Sequence, residues 1–127
     1  MQNAWRIYIA GPYSADSEEQ ILRNVDDAID AALLLFKRGH YPYVPHLTHY
    51  IDIRAKLVGQ HLDWDDFIDW DMAWLRLCDA LLMLGDSRGA RIELEAAAAF
   101  GMRIFHSLDD IPDAAMGARL SMRQSSG

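Results

Sequence analysis

The sequence predicts an α/β fold in which helices cover both faces of a small doubly wound sheet of four to five parallel strands. Short β-prone runs alternate with longer segments of helical periodicity, which is the pattern of right-handed βαβ units. The β-prone runs lack strict apolar–polar alternation, as expected for strands buried on both faces. The chain of 127 residues, with 51% hydrophobic residues, fits one domain with a sizeable core.

The first strand and the first helix have clear boundaries in the sequence. Residues 6–10 are β-prone and end at a Gly-Pro turn, so they predict a strand. Ser and Gln at the two ends of residues 17–20 have the spacing of a capping box. Apolar residues then recur at helical spacing as far as residue 36, and Gly39 predicts the end of this helix.

The middle of the chain is predicted to contain an edge strand, a long loop and a second helix. Residues 41–45 read YPYVP, and two prolines in a short β-prone run indicate an edge position. Residues 46–62 predict a long loop with a helical turn, and loops of that length in compact domains are often functional. Residues 63–77 predict the second helix.

The last third of the chain repeats the alternation of strand and helix. A third strand is predicted over residues 79–84 and is followed by a Gly-containing turn at 85–89. An Ala-rich helix over 90–100 precedes a fourth strand at 102–105. These elements complete the predicted parallel sheet.

Residues 1–127 are interpreted as a single domain with a C-terminal tail from about residue 107. A short helix is predicted over 110–120, and residues 125–127 are predicted to fray. The single cysteine excludes an internal disulfide and favours a reducing compartment. No apolar run approaches the roughly 20 residues of a membrane span, and the first residues lack a signal-peptide pattern. We therefore expect a cytoplasmic protein.

The charge balance excludes one class of partner. The formal net charge of -7 argues against a general nucleic-acid binder, which needs a basic surface to neutralise phosphates. A single phosphate on a small molecule remains compatible with this charge, because a few backbone amides can hold it.

Two loops are expected to carry the chemistry. In doubly wound sheets, ligands bind beyond the carboxyl ends of the strands, where the strand order reverses. This rule selects residues 11–17 after the first strand and residues 85–89 after the third. Ser87 and Gly89 open a helix, where free amides and a hydroxyl are typical of an anion site. Both segments also fit ordinary turns.

Asp71 is an unexpected carboxylate within the helix predicted over 63–77. Six of the seven residues on its stripe are apolar: Trp64, Phe67, Ile68, Asp71, Trp74, Leu75 and Cys78. An ionised carboxylate on a buried stripe is costly, and desolvation raises its pKa towards the range of a general acid. A structural cap or ion pair is the alternative interpretation.

Glu93 is the second candidate carboxylate. It lies near the start of its helix, on a face shared with the small residues Gly89 and Ala97, so a ligand can approach closely. The helix N-terminus favours the ionised carboxylate, and Glu95 points to a different face. An ordinary acidic residue of a first helical turn is the alternative.

A histidine-containing segment allows a metal hypothesis. His46, His49 and Asp52 are suitable ligand types, but their spacing matches no specific zinc pattern. We expect no metal site, and we expect His46 to contact substrate or to be structural. A metal-dependent hydrolase built on these three residues remains an alternative.

Three motifs together resemble the nucleoside 2-deoxyribosyltransferase superfamily, and in particular its 2'-deoxynucleoside 5'-phosphate N-hydrolase branch. They are IYIAG at residues 7–11, DMAWLRLCDA at 71–80 and SRGARIE at 87–93. The resemblance runs from residue 6 to about 105. It implies a compact flavodoxin- or Rossmann-like fold and cleavage of N-glycosidic bonds without a cofactor.

The resemblance also implies roles for individual residues. Glu93 matches the nucleophile, Asp71 the residue that handles the proton on the base, and Tyr8 the residue that orients the nucleophile. The substrate and its 5'-phosphate would be held by residues of two loops and one histidine: Gly11, Pro12, Tyr13, Ser14, Ser87, Gly89 and His46.

We therefore expect an N-glycosidase that acts on a nucleoside 5'-monophosphate through a covalent glycosyl–Glu93 intermediate. A deoxyribosyltransferase that exchanges bases and a non-catalytic nucleotide-binding module are the alternatives, because this fold does not fix function. The expected partner is a small-molecule nucleotide or nucleoside, with no nucleic-acid polymer and no membrane. A homodimer or higher homo-oligomer is expected, since symmetric dimers are the commonest assemblies.

Overall fold

The centre of the molecule is a four-stranded, all-parallel sheet. A computed structural model describes residues 2–119. The strands are β1 (Arg6–Ala10), β2 (Tyr41–Tyr43), β3 (Ala80–Met83) and β4 (Arg103–Phe105), in the order β2-β1-β3-β4. The predicted parallel α/β fold is therefore confirmed, and β2 lies at an edge as its proline indicated. The strand order reverses between β1 and β3, which is where such sheets bind ligands.

Four α-helices accompany the sheet. They are α1 (Glu18–Lys37), α2 (Thr48–Leu57), α3 (Trp64–Leu75) and α4 (Arg88–Ala99). Short 3-10 turns lie at Pro45–Leu47 and Leu108–Asp110. Within residues 2–119, none of the helices has the length and apolar character needed to cross a bilayer.

Strand β1 is buried on both faces, and its alternation separates two layers of core. Ile7 and Ile9 pack against Ala28 and Leu35 of α1. Tyr8 and Ala10 point to the opposite face, where Leu75 of α3 and the small residues of α4 pack. This period of two therefore places the Tyr8 side chain on the same side of the sheet as α3 and α4.

The ends of α1 follow the sequence signals, with one difference. The Ser17 side chain accepts a hydrogen bond from the Gln20 amide, but the Gln20 side chain donates to Asn24 instead of completing the expected capping box. Gly39 follows the helix with a φ of 97°, a conformation that favours glycine.

The long loop predicted over residues 46–62 is wrong, because most of this segment is helical. The 3-10 turn leads directly into α2, and only the residues between α2 and α3 remain a loop. The buried residues of α2 are His49 and Ala55, whereas Ile51 and Ile53 are exposed. Without an apolar stripe on its inner face, this helix gives no helical signal.

The helix predicted over 110–120 is also wrong in the part of the tail that the structure describes. Residues 111–115 are irregular, and helical backbone is found only at 118–119. Pro112 disfavours helical backbone at Ile111, which is extended and buries its side chain against the α1 side of the sheet. The predicted fraying of residues 125–127 lies outside the described residues.

Candidate active site

A cavity of about 570 Å³ lies beyond the carboxyl ends of β1 and β3. Its walls come from the loop after β1, the turn and helix after β2, the loop between α2 and α3, the first two turns of α3 and the start of α4. The volume lies in the range of cavities that hold a small ligand. Both loops selected from the sequence contribute to it.

Glu93 reaches this cavity from the second turn of α4. Ser87 accepts a hydrogen bond from the Ala90 amide and so begins the helix at the rim of the cavity. The Glu93 carboxylate is 6% exposed and accepts a hydrogen bond from the Tyr8 hydroxyl. Tyr8 itself is fully buried behind the carboxylate, and its ring contacts that of Tyr43 with a centroid distance of 5.6 Å. The Glu93 side chain is thus held from the protein side.

Asp71 lines the same cavity from α3. The residue is 9% exposed, and its Oδ1 atom has no hydrogen-bond partner among residues 2–119. Within this described part of the chain, a residue of the cavity wall therefore carries a buried carboxyl oxygen that no protein group satisfies. The structural cap or ion pair considered from the sequence is not found for this atom.

The stripe around Asp71 differs from the expected core-facing surface. Trp64 and Trp74 are 42% and 48% exposed, and Phe67 and Ile68 are half-buried. Trp64, Phe67 and Ile68 line the cavity together with Asp71. Only the C-terminal part of the stripe, around Leu75, packs into the core. The stripe is therefore largely a cavity wall.

Burial dominates the electrostatics of the two carboxyl groups. It raises the pKa of Asp71 to about 7 and is the largest cause of a rise in the pKa of Glu93 to about 8. The Tyr8 hydrogen bond lowers the pKa of Glu93, and the charge of Asp71 raises it. Because ionising one carboxyl disfavours ionising the other, both groups hold a proton to higher pH than a free carboxyl does.

His46 is a neutral polar group at the cavity. It is 4% exposed, and its Nδ1 atom has no hydrogen-bond partner in the described chain. Burial lowers the pKa of His46, while the backbone of Gly11 and Pro12 acts in the opposite direction. A neutral imidazole has one donor and one acceptor nitrogen, so it can either donate a hydrogen bond to a ligand or accept one from it.

The residues of the metal hypothesis have other partners. The Nδ1 atom of His49 lies 2.7 Å from the Tyr13 hydroxyl, and its Nε2 atom lies 3.3 Å from a Glu18 carboxylate oxygen. Asp52 accepts a hydrogen bond of 3.0 Å from Lys56. Within residues 2–119, no three His, Cys, Asp or Glu side chains form a group suited to a metal ion.

Most residues assigned to substrate binding line the cavity, and one does not. The lining includes Gly11, Tyr13, Ser14, His46, Ser87 and Gly89. Pro12 instead packs against Gly85, where a Cβ atom would lie 3.1 Å from the proline Cδ. Its contribution is to hold the two loops together, because the rigid ring fills the space beside a residue without a side chain.

A family model described as a domain of unknown function (DUF7768) matches residues 5–107. The chain belongs to the DUF7768 family. The match includes all four strands and all four helices, so the cavity of this DUF7768 domain is built within the family's own boundaries. A search of curated proteins gives no match.

Sequence reasoning missed several residues around the cavity of this DUF7768 domain. Trp64 and Arg88 line its rim, and the Arg88 guanidinium lies 4.5 Å from the centroid of the Trp64 ring. Lys56 lies on α2, which was predicted as loop. The available signal was the arginine at the first position of α4, where a cation is unfavourable next to the helix N-terminus.

Proposed function

We propose that this protein is an N-glycosidase that cleaves the base–sugar bond of a nucleoside 5'-monophosphate. The proposal rests on one observation: the buried Glu93 carboxylate accepts a hydrogen bond from Tyr8 in a cavity that also contains the proton-binding carboxyl of Asp71. Glycoside cleavage uses two carboxyl groups, an ionised one as nucleophile and a protonated one as general acid. The resemblance of the three sequence motifs to the deoxyribosyltransferase superfamily supports the same reaction.

The proposed reaction has two steps. A Glu93 oxygen attacks the anomeric carbon as the bond to the base breaks, and Asp71 donates its proton to the departing base. The sugar is then esterified to Glu93. In the second step Asp71 takes a proton from water, and the resulting hydroxide attacks the anomeric carbon and releases Glu93. The products are the free base and the sugar 5'-phosphate.

This mechanism requires the proton on Asp71 and the negative charge on Glu93. In the protein alone the pKa of Glu93 is the higher of the two, so the proposal includes a reversal of this order when substrate fills the cavity. Tyr8 donates a hydrogen bond to Glu93 and so stabilises its ionised form. The position of Glu93 near the N-terminal end of α4 acts in the same direction. The unpartnered Oδ1 atom of Asp71 has no donor that would favour its ionisation. The Tyr8 hydrogen bond and the start of α4 therefore favour the protonation order that the mechanism requires, and burial of Glu93 opposes it.

The cavity walls support a nucleotide as substrate. Ser87 and Gly89 lie at the N-terminal end of α4, where backbone amides attract a phosphate. Phe67 and Ile68 of α3 give another part of the wall an apolar surface suited to the flat face of a base.

The test is a chromatographic assay for free base. We would incubate the protein with ribo- and deoxyribonucleoside 5'-monophosphates and with the matching nucleosides. We expect base release from monophosphates, and we expect Glu93→Gln to abolish it because the amide cannot act as nucleophile. Glu95→Gln is the matched control, since Glu95 is exposed two residues further along the same helix and does not line the cavity.

Other results would change the proposal in defined ways. Wild-type activity in Glu93→Gln would refute the role of Glu93. Exchange of the sugar onto an added second base would identify a transferase. Binding of nucleotides without any base release would favour a binding module instead of an enzyme.

A further inference from the structure

The start of α4 carries more positive charge than a helix N-terminus normally does. The free amides of a first turn already create a positive end, and acidic residues commonly balance it. The first turn of α4 has no acidic residue, and its first position is Arg88. In a chain with a formal net charge of -7, this concentration of positive charge is local to one side of the cavity.

Arg88 differs from the neighbouring cations because it has no carboxylate partner in the described chain. Arg91, one turn further along α4, lies 3.2 Å from Asp86. Lys56, the other cation of the cavity wall, lies 3.0 Å from Asp52. Among residues 2–119, the Arg88 side chain makes neither an ion pair nor a hydrogen bond. Its donors are therefore available to a ligand.

Trp64 determines how those donors are presented. The Arg88 guanidinium lies 4.5 Å from the centroid of the Trp64 ring, which occupies one face of the cation. When an aromatic ring stacks on the face of a guanidinium, the N–H groups at its edge stay unused. They can then donate to two oxygens of a phosphate or carboxylate. Trp64 begins α3, and the capping box of Asp63 and Asp66 fixes that helix start.

His46 adds a second, independent observation at this cavity. The histidine is 4% exposed, lines the cavity and leaves Nδ1 without a partner in the described residues. A buried polar atom of this kind costs free energy unless something satisfies it.

We propose that Arg88, supported by Trp64, binds a phosphate of the substrate and makes the cavity prefer phosphorylated nucleosides over neutral ones. The nucleoside part of this statement rests on the proposed function. The assignment of Arg88 to the phosphate rests on the charge, stacking and position of its side chain and does not depend on the proposed reaction.

The test measures binding, so that it does not depend on turnover. The Glu93→Gln protein is titrated calorimetrically with nucleoside 5'-monophosphates, the matching nucleosides and inorganic phosphate. The affinity ratio, monophosphate over matching nucleoside, measures what the phosphate contributes to binding. Adding Arg88→Gln should weaken monophosphate binding by roughly tenfold to a hundredfold, the usual range for hydrogen bonds to charged groups. Binding of the neutral nucleosides should change less than about twofold, because they lack the anion that the charged group contacts. Thermal melting checks that each variant is folded.

Two further variants sharpen the result. Arg88→Lys keeps the charge but loses the planar fork, so it should restore only part of the phosphate preference. Arg91→Gln removes an arginine one turn further along α4 that already pairs with Asp86, and it should leave the affinity ratio unchanged. An equal affinity ratio in Arg88→Gln and in the parent protein would overturn the proposal.

The outcomes also separate this inference from the proposed function. Base release by the wild-type protein with an unchanged affinity ratio in Arg88→Gln would retain the glycosidase and reject Arg88. Phosphate-dependent binding that is lost in Arg88→Gln, without base release by the wild type, would retain Arg88 and reject the glycosidase. Binding of inorganic phosphate that is equally strong in Arg88→Gln, or no binding of any monophosphate, would overturn the inference.

Discussion

Tyr8 is a polar group with no exposed surface in the buried part of β1. Burial, followed by the negative charges of Glu93 and Asp71, raises the pKa of Tyr8 far above its ordinary value. The hydroxyl therefore keeps its proton throughout the physiological range and acts as a permanent hydrogen-bond donor to Glu93. Its proposed role is to position the nucleophile and stabilise its charge, and it does not take part in proton transfer.

The substitution Tyr8→Phe should change the pH dependence of base release. The Tyr8 hydrogen bond lowers the pKa of Glu93, so its removal raises that pKa and leaves less of the ionised nucleophile at neutral pH. We expect the acid limb of the kcat profile to move to higher pH. The rate at pH 7 should fall by roughly tenfold, the loss that follows when the pKa of the nucleophile rises by about one.

The control for this prediction is Tyr43→Phe. Tyr43 packs against the Tyr8 ring, but its hydroxyl makes no hydrogen bond among the described residues and does not line the cavity. Its removal tests whether a change of packing alone moves the profile. Equal changes in both variants would contradict the role assigned to the Tyr8 hydroxyl.

At the scale of single elements, α2 and α3 show what sequence periodicity can and cannot establish. The spacing of Trp64, Phe67 and Asp71 correctly placed them on one face of a helix, since that depends on local geometry alone. Whether a face meets another element or a cavity depends on parts of the chain far away in sequence. The inner face of α2 carries His49 and Ala55, so it had no apolar period to detect.

Tyr8 and Glu93 illustrate the opposite case. The alternation of β1 and the small residues around Glu93 on α4 are local signals in the sequence. The resemblance of the motifs then implied that Tyr8 orients Glu93. The structure brings the two side chains into contact from positions 85 residues apart. Arg88 was missed because its contact with Trp64 joins the starts of two helices that lie apart in the sequence. The segment before α3 was predicted as a long loop, so the position of Trp64 relative to α4 could not be inferred.

The turn between α1 and β2 should depend on glycine at residue 39. Gly39 has a φ of 97°, and a Cβ atom there would lie 2.8 Å from the Cβ of Ala114. We expect Gly39→Ala to destabilise the protein by more than the roughly 1–2 kcal/mol of left-handed backbone alone, because the clash adds to it. Chemical denaturation measures the loss.

Gly59→Ala is the matched control for the α1–β2 turn. Gly59 has a φ of 72°, but nothing lies within 4 Å of the position of its Cβ. Gly59→Ala should therefore lose only the stability that corresponds to the left-handed backbone conformation, roughly 1–2 kcal/mol. If both variants lose the same stability, the contact between the tail residue Ala114 and this turn contributes nothing.

For the whole molecule, two buried carboxyl groups make stability depend on pH. The folded-state pKa values of Asp71 and Glu93 are about 7 and about 8, well above the values near 4 of an unfolded chain. Between these limits the folded state binds more protons than the unfolded state. Their contribution to stability is therefore greatest below about pH 4 and is lost as the pH rises to about 8.

The substitution Asp71→Asn should remove part of that pH dependence. We expect the variant to gain thermal stability relative to wild type as the pH is raised from 5 to 8, because the amide has no charge to desolvate. Comparing variant with wild type at each pH cancels the contribution of His46. Asp69→Asn, at an exposed position on the same helix, should show no such trend. A constant difference between Asp71→Asn and wild type across this range would contradict the raised pKa.

The cavity has one wall that is structurally independent of the reacting groups. The proposed nucleophile and acid lie on α3 and α4, which pack on the sheet, whereas another wall comes from α2, whose buried side chains are His49 and Ala55. Cavity residues of α2 such as Lys56 can therefore change without disturbing the core. On the proposed function, substitutions on this one helix would alter which substrates fit the cavity, while Asp71 and Glu93 keep their positions on α3 and α4.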